Sequence, residues 1–256
     1  MFTWARRRQF YYLLGIAVFL AVIGLVLFLI YRPRPTCFDG QQNQTETGID
    51  CGGPCALACA PDVLPLKIYW ARPLEVSEGL YDVAGLVENE NVNFGVRRAT
   101  YTVYLYNKEH VLLTKQTGTT FVNPAEKFVI FVSRLNTGSS VADQAFLEFA
   151  DNLAWEKANQ VPKVINIERQ SFTNTPRPQL RIKVTNLTLD PLTDLRVSTV
   201  LSDNNKNALA ASATFVDKLK AQETKELFLT WPNPLPVEPA FFDLFWRLNT
   251  FDSSLN

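Results

Sequence analysis

Across 256 residues the chain balances 25 Lys and Arg against 25 Asp and Glu, so no net field gathers a polyanion, which argues against nucleic acid as a partner. One His and one Met leave few of the side chains on which redox and metal enzymes rely. Length alone allows an anchor plus two domains of ordinary size.

Phe10 to Tyr31 reads FYYLLGIAVFLAVIGLVLFLIY, without a charge. About twenty apolar residues at roughly 1.5 Å each span a hydrocarbon core of roughly 30 Å, so a transmembrane helix is expected over 10–31. A buried core helix is seldom so long and keeps a polar face. A cleaved signal peptide has a shorter apolar run and small residues at its exit, whereas here the exit is Tyr31-Arg32-Pro33-Arg34-Pro35. The expectation is an uncleaved signal anchor. Arg6, Arg7 and Arg8 against Arg32 and Arg34 favour a cytoplasmic amino terminus, and Trp4, Phe10, Tyr11, Tyr12 and Tyr31 suit the headgroup zones. Ala17, Ala21 and Gly24 share one helical face on which a second helix would seat.

All four cysteines, Cys37, Cys51, Cys55 and Cys59, fall directly after this segment, in a stretch rich in Gly, Asp and Asn. An even number in a region too polar for a core predicts two disulfides, hence an oxidising compartment, with three connectivities open. A four-cysteine zinc site normally has two close pairs well apart, unlike this spacing. Asp39, Asn43, Glu46 and Asp50 offer the oxygen donors calcium takes, or form turns beside their glycines.

The run Cys37-x-Asp39-Gly40-x-x-Asn43-x-x-Glu46-Thr47-Gly48-x-Asp50-Cys51-Gly52-Gly53-x-Cys55 resembles a short cysteine module of bacterial extracytoplasmic proteins, including candidate-phylum lineages. The resemblance implies a surface-associated spacer and no reaction.

After Pro61 the text alternates as strands do, as in Tyr101-Thr-Val-Tyr-Leu-Tyr106 and Phe128-Val-Ile-Phe-Val132, with polar turns between. Strands are expected near 66–71, 80–88, 97–106, 110–116, 119–122, 127–133 and 144–149. The pattern then recurs about a hundred residues later, where Tyr81–Asn89 and Arg97–Asn107 correspond to Leu180–Asn186 and Leu195–Asp203. Strands near 163–169, 179–186, 193–202, 207–215, 223–231 and 241–248 complete the second copy. Phe241 to Leu248 is too apolar to alternate, which predicts burial on both faces or contact with the neighbouring domain.

The expected fold is therefore mainly β: one N-terminal transmembrane helix, a small Cys-rich module and two tandem immunoglobulin-like antiparallel β-sandwiches. The division is a basic cytoplasmic tail over 1–9, the helix over 10–31, a Cys-rich stalk over 32–62, sandwiches over 63–150 and 163–256, and a linker over 151–162. Val87-Glu-Asn89 with Val103-Tyr-Leu-Tyr-Asn107, and more loosely Val200-Leu-Ser-Asp203, resemble the FxLYD and late-embryogenesis-type sandwiches of bacterial envelope proteins. That likeness implies a fold and no ligand.

Neither a nucleophile elbow, a P-loop, a dinucleotide fingerprint nor an H-E-x-x-H is present. His110 follows Asn107-Lys-Glu109 at a hairpin turn, and Trp70, Trp155, Trp231 and Trp246 suit a core or interdomain role. The expected function is non-catalytic: an extracytoplasmic binding or scaffold protein held in the bilayer through residues 10–31, with a protein partner. The alternative is an accessory subunit of a membrane-bound envelope complex. Asn43-Gln-Thr45 and Asn186-Leu-Thr188 are glycosylation sequons.

Overall fold

The computed structural model describes residues 4–31 and 36–252, with side chains from Arg8 onward. Arg32 and Arg34 lie outside the described residues. The chain forms two compact units, Met1–Pro54 and Cys55–Asn256. In the first, helix α1 runs Trp4–Tyr31, so it begins inside the segment expected as a free tail. No Gly or Pro interrupts residues 4–10, and Ala and Arg are good helix formers. All four cysteines of the chain are disulfide-bonded.

The second unit is built of antiparallel strands. The first six are β1 (Lys67–Ser77), β2 (Leu80–Glu88), β3 (Phe94–Tyr106), β4 (Leu112–Val122), β5 (Lys127–Asn136) and β6 (Gln144–Phe149). A short β7 (Trp155–Lys157) follows, and then β8 (Ile165–Thr173), β9 (Gln179–Asn186), β10 (Leu192–Ser202), β11 (Ala208–Leu219), β12 (Thr224–Thr230) and β13 (Phe241–Arg247). Sheets β4-β3-β6 and β1-β2-β5 enclose one core around Val83, Val103, Leu105, Phe128 and Trp155. Sheets β12-β9-β8 and β11-β10-β13 enclose a second around Leu180, Ile182, Leu195, Leu219 and Leu229. Strand β9 shows the local rule: Leu180, Ile182, Val184 and Asn186 are buried, while Arg181, Lys183 and Thr185 point outward.

Two expectations shift. The stretches near 110–116 and 119–122 are one strand, β4, continuous through Gly118. A Cβ there would sit 2.5 Å from the Tyr101 hydroxyl, so this glycine admits a neighbouring side chain and makes no turn. The expected linker contains β7, which pairs with Phe94–Val96 of β3 and sends Trp155 into the first core. The indole supplied the signal, since a bare linker has no use for one.

The repeat extends to individual hydrogen bonds. Asn89 and Asn186 end corresponding strands, each almost wholly buried. The Asn89 amide donates to the carbonyls of Phe94 and Asn123, and that of Asn186 to those of Asp190 and Lys220. Each thereby ties the end of one sheet to the loops of the other. Likewise the Asn107 carboxamide caps the amide of Val111 and the Asp203 carboxylate that of Asn207. These polar side chains hold turns that backbone pairing leaves unsatisfied.

The sandwiches also pack on one another. Leu74, Ala84 and Val129 of the β1-β2-β5 sheet meet Val200 and Ala211 of the β11-β10-β13 sheet, with Trp70, Phe131 and Phe245 alongside. Both middle sheets are therefore covered on two faces, which is why β10 loses its alternation from Val197 to Ser202 and why β13 is mostly apolar. On β13, Phe245 faces the junction while Phe242, Leu244 and Trp246 pack on the second core.

Candidate functional site

In the Cys-rich region the acidic side chains organise turns. The Asp50 carboxylate accepts the amides of Asp39 and Gly40 at 3.0 and 2.9 Å. Asp39 accepts the amides of Thr36 and Gln41 and the Asn43 carboxamide at 2.9 Å. The Thr36 amide and then Asn43 hold the Asp39 carboxyl below the usual aspartate range. Glu46, almost wholly buried, accepts the Asn43 amide at 3.0 Å. Asn43 Oδ1 is buried without a hydrogen-bond partner. The Asp39, Glu46 and Asp50 oxygens considered for calcium are thus engaged by local amides, as carboxylates beside glycine commonly are, whereas the Asn43 oxygen is not. A disulfide sulfur is no thiolate, so Cys37, Cys51, Cys55 and Cys59 do not form a zinc site. In the second unit, Ala56–Ala58 is stitched to β7 by a Leu57–Glu156 bridge, the Ala58 amide donating to the Trp155 carbonyl at 2.9 Å.

Ala17, Ala21 and Gly24 are exposed along α1, as is every described side chain of that helix. Arg8–Tyr31 is long and apolar enough to cross a membrane. His110 lies exposed on the turn before β4 with φ 59°, its amide donating to the Asn107 carbonyl. Trp155 and Trp231 are core residues, the latter donating its indole N–H to the Ala211 carbonyl; Trp70 packs at the junction and Trp246 on the second core. The Asn186 sequon is closed in the folded chain, because its side-chain nitrogen is buried and fully engaged.

The densest polar constellation lies where the sandwiches meet. Arg247 is 6% exposed and Glu126 12%, with Nε 2.7 Å from Oε1 and a second bond to Oε2 at 2.9 Å. The guanidinium also donates to Thr120 Oγ1 at 2.9 Å and to the Phe121 carbonyl, and it lies over the rings of Phe121 and Phe128 at 4.2 and 3.9 Å. Each nitrogen of the fork donates at least once, as a buried cation requires. Beside it the Asn123 carboxamide donates to the Leu248 carbonyl and accepts the Thr250 amide. At the open end, Arg196 on β10 stands directly opposite Arg247 in the pairing with β13, its guanidinium 5.1 Å from the same Phe121 ring. Tyr101, Thr119, Ser198 and Arg196 line a cleft there. Burial pushes the Tyr101 phenol up, partly offset by the two nearby arginines. Sequence reasoning missed this constellation; its signal was an Arg at the end of a mostly apolar strand.

No protein-family model and no curated protein matches the chain. Among solved structures it is similar to a red sea bream transglutaminase, at 14% identity over 72% of this chain, with a TM-score of 0.20. The chain spans 30% of that structure's length. A likeness this slight carries no argument about fold or activity.

Proposed function

We propose that the chain is a single-pass membrane-anchored protein displaying two fused β-sandwiches outside the cytoplasm as a non-catalytic binding or scaffold module. One observation carries the reading: an apolar helix of 24 residues, Arg8–Tyr31, of which nothing is buried by protein. Exposed apolar surface costs about 25 cal/mol per Å² in water, and lipid removes that cost. Four oxidised cysteines directly after the helix support an oxidising side for everything that follows. Arg6, Arg7 and Arg8 support a cytoplasmic amino terminus. The non-catalytic reading is supported by the chain's one histidine lying on an exposed turn. The resemblances to the bacterial cysteine module and the FxLYD-type sandwiches agree with an envelope address.

The second reading is an accessory subunit of a membrane-bound envelope complex, favoured by the exposed small face of Ala17, Ala21 and Gly24. Membrane fractionation with alkaline carbonate tests the anchor: the full chain stays in the pellet, whereas release into the supernatant overturns both readings. Crosslinking in native membranes separates them. A subunit loses its crosslinked partner when Ala17, Ala21 and Gly24 become Leu, and a scaffold does not.

A further inference from the structure

We propose that the cleft at the open end of the sandwich junction binds a small oxyanion, a carboxylate or phosphate group, on the Arg196 guanidinium. Charge complementarity carries the proposal. Arg196 and Arg247 are cross-strand neighbours, and both guanidiniums sit against the Phe121 ring, at 5.1 and 4.2 Å. Like charges directly opposite on paired strands repel. Glu126 neutralises Arg247 through two hydrogen bonds and leaves nothing for its neighbour. Among the described residues no carboxylate pairs with Arg196, so the cleft retains one uncompensated positive charge.

The surroundings suit a planar or tetrahedral anion. Stacking on Phe121 restricts the Arg196 side chain, so less rotamer freedom is lost when its fork engages a ligand. Tyr101 and Ser198 line the same cleft and carry hydroxyls of the kind that complete an oxyanion's shell. Tyr101 is half-buried, and its hydroxyl lies over Gly118, the one backbone position in β4 that makes room for it. Walls come from both sandwiches, since Tyr101 and Thr119 belong to β3 and β4 while Arg196 and Ser198 belong to β10. The site exists only because the domains are fused.

This inference deepens the binding reading and rests on it for the relevance of a ligand. Its failure is separable, because fractionation tests the anchor and calorimetry tests the cleft. Full-length protein in neutral detergent is titrated with inorganic phosphate and, separately, with acetate, against sodium chloride of matched ionic strength. The expected result is saturable one-to-one binding of at least one anion, with phosphate preference assigning a phosphoryl ligand and acetate preference a carboxylate. Arg196→Gln weakens that binding at least tenfold, and Tyr101→Phe, which keeps the ring against Phe149, weakens it a few-fold. Arg98→Gln, an exposed arginine elsewhere on β3, leaves it unchanged. Absence of saturable binding by both anions, or binding that survives Arg196→Gln intact, overturns the proposal.

Discussion

Replacing Glu126 by Gln strands a buried cation at the junction of the sandwiches. Arg247 is 6% exposed and has no other carboxylate within salt-bridge distance among the described residues. Gln keeps the shape and still accepts the Asn123 amide that Glu126 holds at 3.1 Å, so the change isolates charge from packing. Removing one member of a buried ion pair costs about 3 to 5 kcal/mol. In a unit of this size each kcal/mol lowers the melting temperature by roughly 2 to 4 °C, so the expected fall is about 6 to 20 °C. Arg247→Met, which leaves Glu126 partly buried and unpaired, falls in the same range. The double variant recovers most of the loss, because a neutral pair needs no compensation. Thermal and urea unfolding of the four proteins closes a double-mutant cycle whose coupling term is the quantity of interest. If either single variant lies within about 1 kcal/mol of the parent, the pair is not a buried tie between the domains and the reasoning fails.

Asn89→Ala and Asn186→Ala each remove a buried carboxamide that donates to two or more loop carbonyls and cost about 1 to 3 kcal/mol, with equal effects in the two copies; unequal effects in urea unfolding argue against equivalent roles. Reduction of the disulfides removes about 2 to 5 kcal/mol of stabilisation each, and limited proteolysis then cuts between Cys37 and Cys59 first while the sandwiches persist. Burial pushes the Asp82 carboxyl above its ordinary range, only partly offset by the Arg134 amide. The folded state therefore binds the proton more tightly than the unfolded chain, and stability falls as pH rises from the usual aspartate pKa through the raised one. Asp82→Asn, still able to accept the Arg134 amide, is expected to be more stable than the parent at pH 7 and equal to it near pH 3. Equal stability at both pH values rejects that cause.

Strands of the outer sheets were legible because those sheets have one dry and one wet face, and period-two alternation such as Leu180-Arg-Ile-Lys-Val184 writes that difference into the chain. The helix was legible from length alone. Legibility failed where a residue answers to something distant in sequence. Gly118 looks like a break because its reason, the Tyr101 hydroxyl, lies on another strand. Trp155 looks like part of a linker because the core it fills was completed far upstream. Glu126 and Arg247 read as ordinary charges, since neither says that the other is 121 residues away and the water excluded. The Asn89 and Asn186 repeat fell between these cases: the matching positions were visible, and the carbonyls they bind were not.

The claim on which the rest depends is that an apolar helix holds an oxidised exterior away from the cytoplasm. Cells making the full chain are quenched in acid, denatured and treated with a maleimide-polyethylene glycol, with and without prior reduction, and the mass shift is read on a gel. The account predicts membrane-fraction protein that takes no label before reduction and four labels after it, one for each cysteine. Labelling of unreduced chain, or recovery of the chain in the soluble fraction, contradicts it.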